Sequence, residues 1–225
     1  MDYDKRRKHY YANDKFYPIF ISPSAEDYLA GLLAPVGQGG GHLFGGASGF
    51  RPPIDAVPMP ERRADNFILR ALLKAIREKL ALEIHYQSLS SQYPEWRWIE
   101  PHALASDGQR WHVRAYCWNR QTFRDFVIGR ITASRDERPA AIAMEMDVDW
   151  REWVRIVLAP APGLPNNQRK IIEYDFGMKD GMTELIVRRA LAYYVQQRYG
   201  EERQAGSPQA RQVVIIGVTP AEEPA

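Results

Sequence analysis

Arg110-Trp111-His112-Val113-Arg114-Ala115-Tyr116-Cys117 is the stretch whose pattern decides the fold. Trp111, Val113, Ala115 and Cys117 fall on one side of a two-residue repeat, and His112, Arg114 and Tyr116 on the other. A repeat of two belongs to a β-strand, whose successive side chains point to opposite faces. Just upstream, Ser106-Asp107-Gly108 carries the Asp-Gly signal of a tight hairpin, so the strand at residues 96–100 leads into this one. Downstream, the polar loop Asn119-Arg120-Gln121-Thr122 leads to a further strand at 123–128. Before all of these, Leu82, Ile84 and Tyr86 alternate with Glu83, His85 and Gln87. Short strands separated by turn signals predict a small antiparallel barrel over residues 82–131.

Working outward, the period changes. Ile68, Leu72, Ala75, Ile76 and Leu80 recur at helical spacing within residues 64–80, which predicts a helix packed on the sheet. Further upstream, Ser24-Ala25-Glu26-Asp27 resembles a capping box ahead of a short helix that Pro35 ends. A glycine-rich run follows at 37–49. It lacks the Gly-Lys-Ser/Thr ending of a phosphate loop, so it reads as a connection. Beyond Pro139 the pattern predicts a strand at 153–158, a helix at 168–174, a strand at 182–187, a helix at 190–199 and a last strand at 213–218. The last helix is expected to bury Leu191, Tyr194 and Val195. The chain is therefore expected to be α+β: a linker region at 1–63, a barrel with flanking helices at 64–138, and a small α/β extension at 150–220.

Composition excludes several classes. The formal net charge is only +2 over 225 residues, so bulk charge does not announce a nucleic-acid binder. No stretch approaches the roughly 18 uninterrupted apolar residues of a membrane span, and residues 1–8 are charged, unlike a signal core. The expected location is cytoplasmic, with no membrane partner. Cys117 is the only cysteine, which excludes an internal disulfide and a multi-cysteine zinc site. His9, His42, His85, His102 and His112 show no ligand spacing, and no paired nucleophile and base is evident, so neither an enzyme nor a cofactor is expected. Charge is concentrated at 110–130, where Arg110, Arg114, Arg120, Arg124 and Arg130 face one acid, Asp125. Arginines interleaved with aromatics suit phosphates and stackable rings. They also suit a plain strand with aromatics inside and arginines in solvent.

The segment from Ile84 to Ile131 resembles a WYL domain. The likeness is carried by Ile84-His85-Tyr86, Ser88, Arg97-Trp98-Ile99-Glu100-Pro101-His102-Ala103-Leu104, the Arg110–Cys117 strand, Phe123-Arg124-Asp125-Phe126 and Gly129-Arg130-Ile131. The family takes its name from a Trp-Tyr-Leu triplet, which here reads Trp111-His112-Val113 and departs in its second and third letters. The variant resembles the branch of transcriptional regulators found beside phage-defence operons. That resemblance implies an Sm-like (SH3-like) barrel whose pocket takes an anionic ligand, nucleic acid or a nucleotide. It also implies a homodimer with contacts in the extension after Trp153, where Gln168-Arg169-Lys170 and Asp175-Phe176-Gly177-Met178 resemble the family's C-terminal region. Tyr17-Pro18 and the Tyr28-Leu29 helix resemble the linker that follows a winged helix. Only sixteen residues precede Tyr17, too few for such a reader. Operator DNA is thus expected to be met only through a winged-helix domain outside this chain.

For the pocket, the resemblance and side-chain chemistry together point to Arg114, Arg124 and Arg130, which can bind phosphate bidentately, with Tyr86, Ser88 and His112. His102 either joins them or is a buried histidine bonded to a carbonyl. The three arginines are expected to converge unless acids such as Glu83 or Glu100 pair with them. Trp111 and Trp98 are expected in the core, and Cys117 as a buried, inert thiol. The competing function is a single-stranded nucleic-acid binding module without a DNA reader, which would need a continuous basic track instead of a compact pocket.

Overall fold

The computed structural model describes residues 1–6, 8–17, 24–33, 52–57, 60, 62–200 and 208–224. The chain divides into two units, Met1–Pro60 and Glu61–Ala225. In the first, strands β1 (Asp2–Asp4) and β2 (His9–Tyr11) form an antiparallel hairpin, and helix α1 spans Ala25–Leu33. The capping serine of α1 works with a different acid from the one expected. Asp27 N–H donates to Ser24 Oγ at 3.0 Å, while the serine hydroxyl donates to Glu26 at 2.9 Å. Pro18 and the glycine-rich run lie outside the described residues.

The second unit opens with helix α2 (Asn66–Glu78). Asp65 caps it, accepting from Phe67 N–H at 2.8 Å and Ile68 N–H at 3.1 Å. Lys79 ends it in the left-handed region, φ +52°, and turns the chain directly into a strand. Five antiparallel strands follow: β3 (Leu80–Tyr86), β4 (Glu95–Ser106), β5 (Trp111–Cys117), β6 (Thr122–Val127) and β7 (Ile131–Pro139). Their order is β6-β5-β4-β3-β7. Ile68, Leu72 and Ala75 of α2 pack on Leu82, Ile84, Ile99, Val113, Ala115 and Phe126 from the sheet. Cys117 is fully buried in that core.

Two expectations need correction. The sheet is not a closed barrel. Its end strands β6 and β7 are joined through the 3-10 turn Ile128–Arg130, with no β6–β7 pairing among the described residues. Helix α2 covers the apolar face instead, so the core is sealed without closing the ladder. Trp111 is 60% exposed rather than in the core, because it stands at the hairpin end of β5, beyond the reach of α2. Trp98 is half-buried on the opposite face, beneath the Arg138 guanidinium 4.2 Å from its ring centre.

A connecting segment, residues 140–152, contains the short helix α3 (Val148–Arg151). The buried carboxylate of Glu100 anchors its start, accepting from Ile142 N–H at 2.7 Å, Ala141 N–H at 3.1 Å and Trp118 Nε1–H at 2.9 Å. A second antiparallel sheet follows, ordered β10-β8-β9, from strands β8 (Trp153–Pro160), β9 (Thr183–Arg188) and β10 (Val213–Ala221). Helices α4 (Asn166–Asp175) and α5 (Arg189–Tyr199) accompany it, with the short α6 (Pro208–Arg211) before the last strand. Val154, Ile156, Leu158, Ala192 and Val213 form its core, flanked by Ile172, Phe176 and Val195. Among the described residues no helix is long and apolar enough to cross a membrane.

The packing separates a core contact from a cap. Leu72→Ala should cost about 2–5 kcal/mol, whereas Asp65→Ala should cost about 1 kcal/mol. Urea unfolding of both variants checks the ranking, which fails if the cap variant loses as much as the core variant.

Candidate functional site

The Asp107–Gly108 hairpin organises one wall of a cleft. Gly108 takes φ +81°, which L residues rarely adopt. Asp107 Oδ1 accepts from the backbone N–H groups of Gln109 (2.8 Å) and Arg110 (2.7 Å). Its Oδ2 accepts from Arg110 Nε at 2.9 Å and lies 3.1 Å from His112 Nε2. Burial alone would raise this carboxyl. The Gln109 N–H, His112 and Arg110 outweigh burial and hold it well below the ordinary carboxylate range.

The cleft measures about 560 Å³. On the first sheet's side it is lined by Tyr86, Ser88, Arg110, His112, Asp125 and Arg130. The other wall comes from α5, through Tyr193, Tyr194, Gln197 and Arg198. Tyr194 donates its hydroxyl to Asp125 Oδ2 at 2.9 Å and stands 3.3 Å from His112 Nδ1. Burial first, then the Asp125 charge, pushes the Tyr194 phenol far above its ordinary value, so it stays protonated. Arg198 donates to the Asp107 carbonyl at 2.8 Å. Tyr86 is buried in the sheet core with its hydroxyl accepting from Val127 N–H at 3.3 Å, so it reaches the cleft from below. The Arg130 guanidinium has no hydrogen bond or ion pair among the described residues.

Arg114 is elsewhere. It is 5% exposed, and its fork closes on Asp147, with Nε to Oδ2 at 2.8 Å and Nη2 to Oδ1 at 2.9 Å. Asp125 Oδ1 accepts a third bond from Arg114 at 3.3 Å. His102 joins this cluster, with Nε2 2.9 Å from Asp147 Oδ2 and its ring against Phe123 and Trp150. Burial lowers the His102 pKa more than Asp147 raises it, so the ring is held neutral, and its Nδ1 has no partner among the described residues. Asp147 also caps α3, accepting from Trp150 N–H at 3.2 Å.

The expected convergence of three arginines is therefore not what the structure shows. Arg130 stands in the cleft with Tyr86, Ser88 and His112. Arg114 and His102 belong to the buried carboxylate cluster. Arg124 is exposed, one residue along β6 from Asp125, and alternation turns it to the other face. The partners of Arg114 are neither Glu83, which binds Arg135 at 2.6 Å, nor Glu100. Asp125 was recoverable from the sequence, because the β5–β6 hairpin pairs Arg114 directly with Asp125. Asp147 lies 33 residues from Arg114 and has no such signal. The α5 contribution was also missed, since Tyr194 fits the apolar repeat of its helix.

Comparison with known proteins is consistent across the chain. Residues 68–135 match the WYL domain family, and residues 153–222 match the C-terminal dimerization domain of the BrxR transcriptional regulator. Over 217 residues, 96% of this chain and 72% of the relative, the sequence is 36% identical to the DNA-binding transcriptional repressor CapW of Escherichia coli (strain KTE188). The protein of that name from Pseudomonas aeruginosa is 38% identical over the same shares of both chains. That from Stenotrophomonas maltophilia is 36% identical over 95% of this chain and 72% of its own length.

The buried cluster predicts an acid response. Burial would raise the Asp147 carboxyl, but hydrogen bonds and charge from Arg114, then the hydrogen bond with His102, hold it below the ordinary range. A carboxyl depressed on folding stabilises the fold above its unfolded value, about pH 4, and that stability is lost as pH falls through the folded value. Asp147→Asn should lose on the order of 3–5 kcal/mol at pH 7, because a buried guanidinium is left short of a partner. Its stability should then fall less steeply below pH 4 than that of the unaltered protein. Urea unfolding at pH 7, 5 and 3 measures both; parallel acid limbs would remove Asp147 from the titration.

Proposed function

Because the chain belongs to the WYL-domain transcriptional regulators and carries the BrxR-type C-terminal dimerization domain, we propose that it is a dimeric repressor controlled by a phosphate-bearing ligand held in the cleft. The observation that carries the reading is the Arg130 guanidinium, which makes no ion pair among the described residues and stands in a cleft with Arg110, His112 and Ser88, where Asp107 and Asp125 are already engaged by other donors. A charged donor fork without a partner favours an anion, and a phosphate oxygen pair fits it bidentately. Tyr86, Ser88, His112 and Arg130 remain ligand contacts in this reading, and Arg110 joins them. Arg114 and His102 act through Asp125 and Asp147 as positioning groups, and Arg124 takes no part.

The relatives are named DNA-binding repressors, which supports operator binding by this regulator too. That contact is assigned to a winged-helix reader instead of to either sheet. The resemblance to regulators beside phage-defence operons supports a role in that setting, and the work of a repressor supports a cytoplasmic location. The segments 64–138 and 150–220 serve as sensing and dimerising domains. A strand-binding module is favoured less, because α5 walls off one side of the cleft and leaves a compact space instead of a long track.

The test uses a 5′-phosphorylated oligothymidine of about four nucleotides, the low end of an OB-fold site size, titrated calorimetrically into the full chain. Arg130→Ala should weaken binding about ten- to a hundredfold, the worth of one charged hydrogen bond at about 1.5–3 kcal/mol. Affinity should also fall as salt rises. Arg124→Ala should bind as the unaltered protein does. Equal affinity in the Arg130 and Arg124 variants would remove the cleft as the ligand site.

A further inference from the structure

We propose that Tyr194 and Arg198, one turn apart on α5, latch the second sheet's helix onto the cleft, and that a phosphate-bearing ligand opens this latch by taking His112 from Tyr194. The inference rests on the cleft being the ligand site.

Helix α5 has two working faces. Ala192, Val195 and Tyr199 pack into the core of the second sheet. Tyr194 and Arg198, at i and i+4, face the first sheet and make hydrogen bonds to Asp125 and Asp107 there. Glycine at position 108 eases this approach and suits the backbone there. A Cβ there would stand 3.0 Å from the Arg198 guanidinium, besides straining a backbone at φ +81°. The helix is therefore held to the cleft by side chains that also line it.

His112 determines how a ligand can enter. It is 2% exposed, and both ring nitrogens are occupied, Nε2 by Asp107 and Nδ1 by Tyr194. Asp107 is fixed by two backbone N–H groups and the Arg110 side chain, so it does not give way easily. Tyr194 has one hydroxyl hydrogen, committed to Asp125 at 2.9 Å, and its contact with His112 at 3.3 Å is the longer of its two. A phosphate held by Arg130 reaches the imidazole by replacing that longer contact. Ligand binding and α5 docking are thus in competition, and binding loosens a helix of the matched dimerization domain.

Hydrogen exchange of the α5 amides in the full chain, with the same phosphorylated oligothymidine, tests this. Tyr194→Phe keeps the ring and removes the hydroxyl. It should raise exchange in α5 about ten- to a hundredfold, the worth of one hydrogen bond to a charged acceptor, while β8 amides stay unchanged. Arg198→Ala, at an exposed position, should raise it likewise. The probe should speed α5 exchange in the unaltered protein and add little in Tyr194→Phe, which should bind it several-fold more tightly because nothing has to be displaced. A merely structural tyrosine would give weaker binding on removal. Weaker binding by Tyr194→Phe, slower α5 exchange on probe binding, or unchanged exchange in both variants would each overturn the latch. If the probe binds no variant while both substitutions loosen α5, the latch stands and the phosphate reading falls.

Discussion

A guanidinium cannot lose its charge at any pH the protein meets, so burying one obliges the fold to bring carboxylates to it. Arg114 imposes that obligation at the centre of β5. One carboxylate, Asp125, comes from the adjacent strand at no topological cost. The other, Asp147, has to be delivered by the segment that leaves the first sheet, and its delivery sets where that segment runs and where the next helix begins. His102, Phe123 and Trp150 close over the pair and keep water away. The path of the segment between the sheets follows this charge requirement.

The same accounting explains the composition of the cleft. A sheet face that carries His112 and Arg114 at alternate positions must find acceptors for both, and Asp107 and Asp125 supply them. Once those pairs are made, the arginine at the end of the 3-10 turn makes no ion pair among the described residues. Arg114 and Arg130 thus differ in their pairing, and the difference is set by strand register.

How much of this could be read from the chain depends on the range of the interaction. Elements with a strong repeat were legible: helix α2 from Ile68, Leu72 and Ala75, β3 from Leu82 and Ile84, and the Asp-Gly hairpin. The cleft was half legible, because Tyr86, Ser88, His112 and Arg130 lie on elements whose order is local. Closure of the sheet is not legible, since alternation specifies faces and says nothing about whether end strands meet. The sequence does not separate a buried Arg114 from a ligand-binding one, because the two share one pattern and the discriminating acid lies far along the chain. Tyr194 was hidden for a related reason: an amphipathic tyrosine fits an apolar stripe while its hydroxyl serves another surface.

The anchoring of residues 140–152 also bears on assembly. Glu100 grips the segment's first amides, and Arg114 and His102 hold Asp147 near its end, so the link between the sheets is fixed at both ends by side chains of the first sheet. A linker of thirteen free residues would let the second sheet sample many orientations, and a partner would have to select one of them at an entropic cost. Here that selection is complete within a single chain. Two copies can meet as nearly rigid bodies, and the binding energy of their contact goes into affinity instead of into ordering the join.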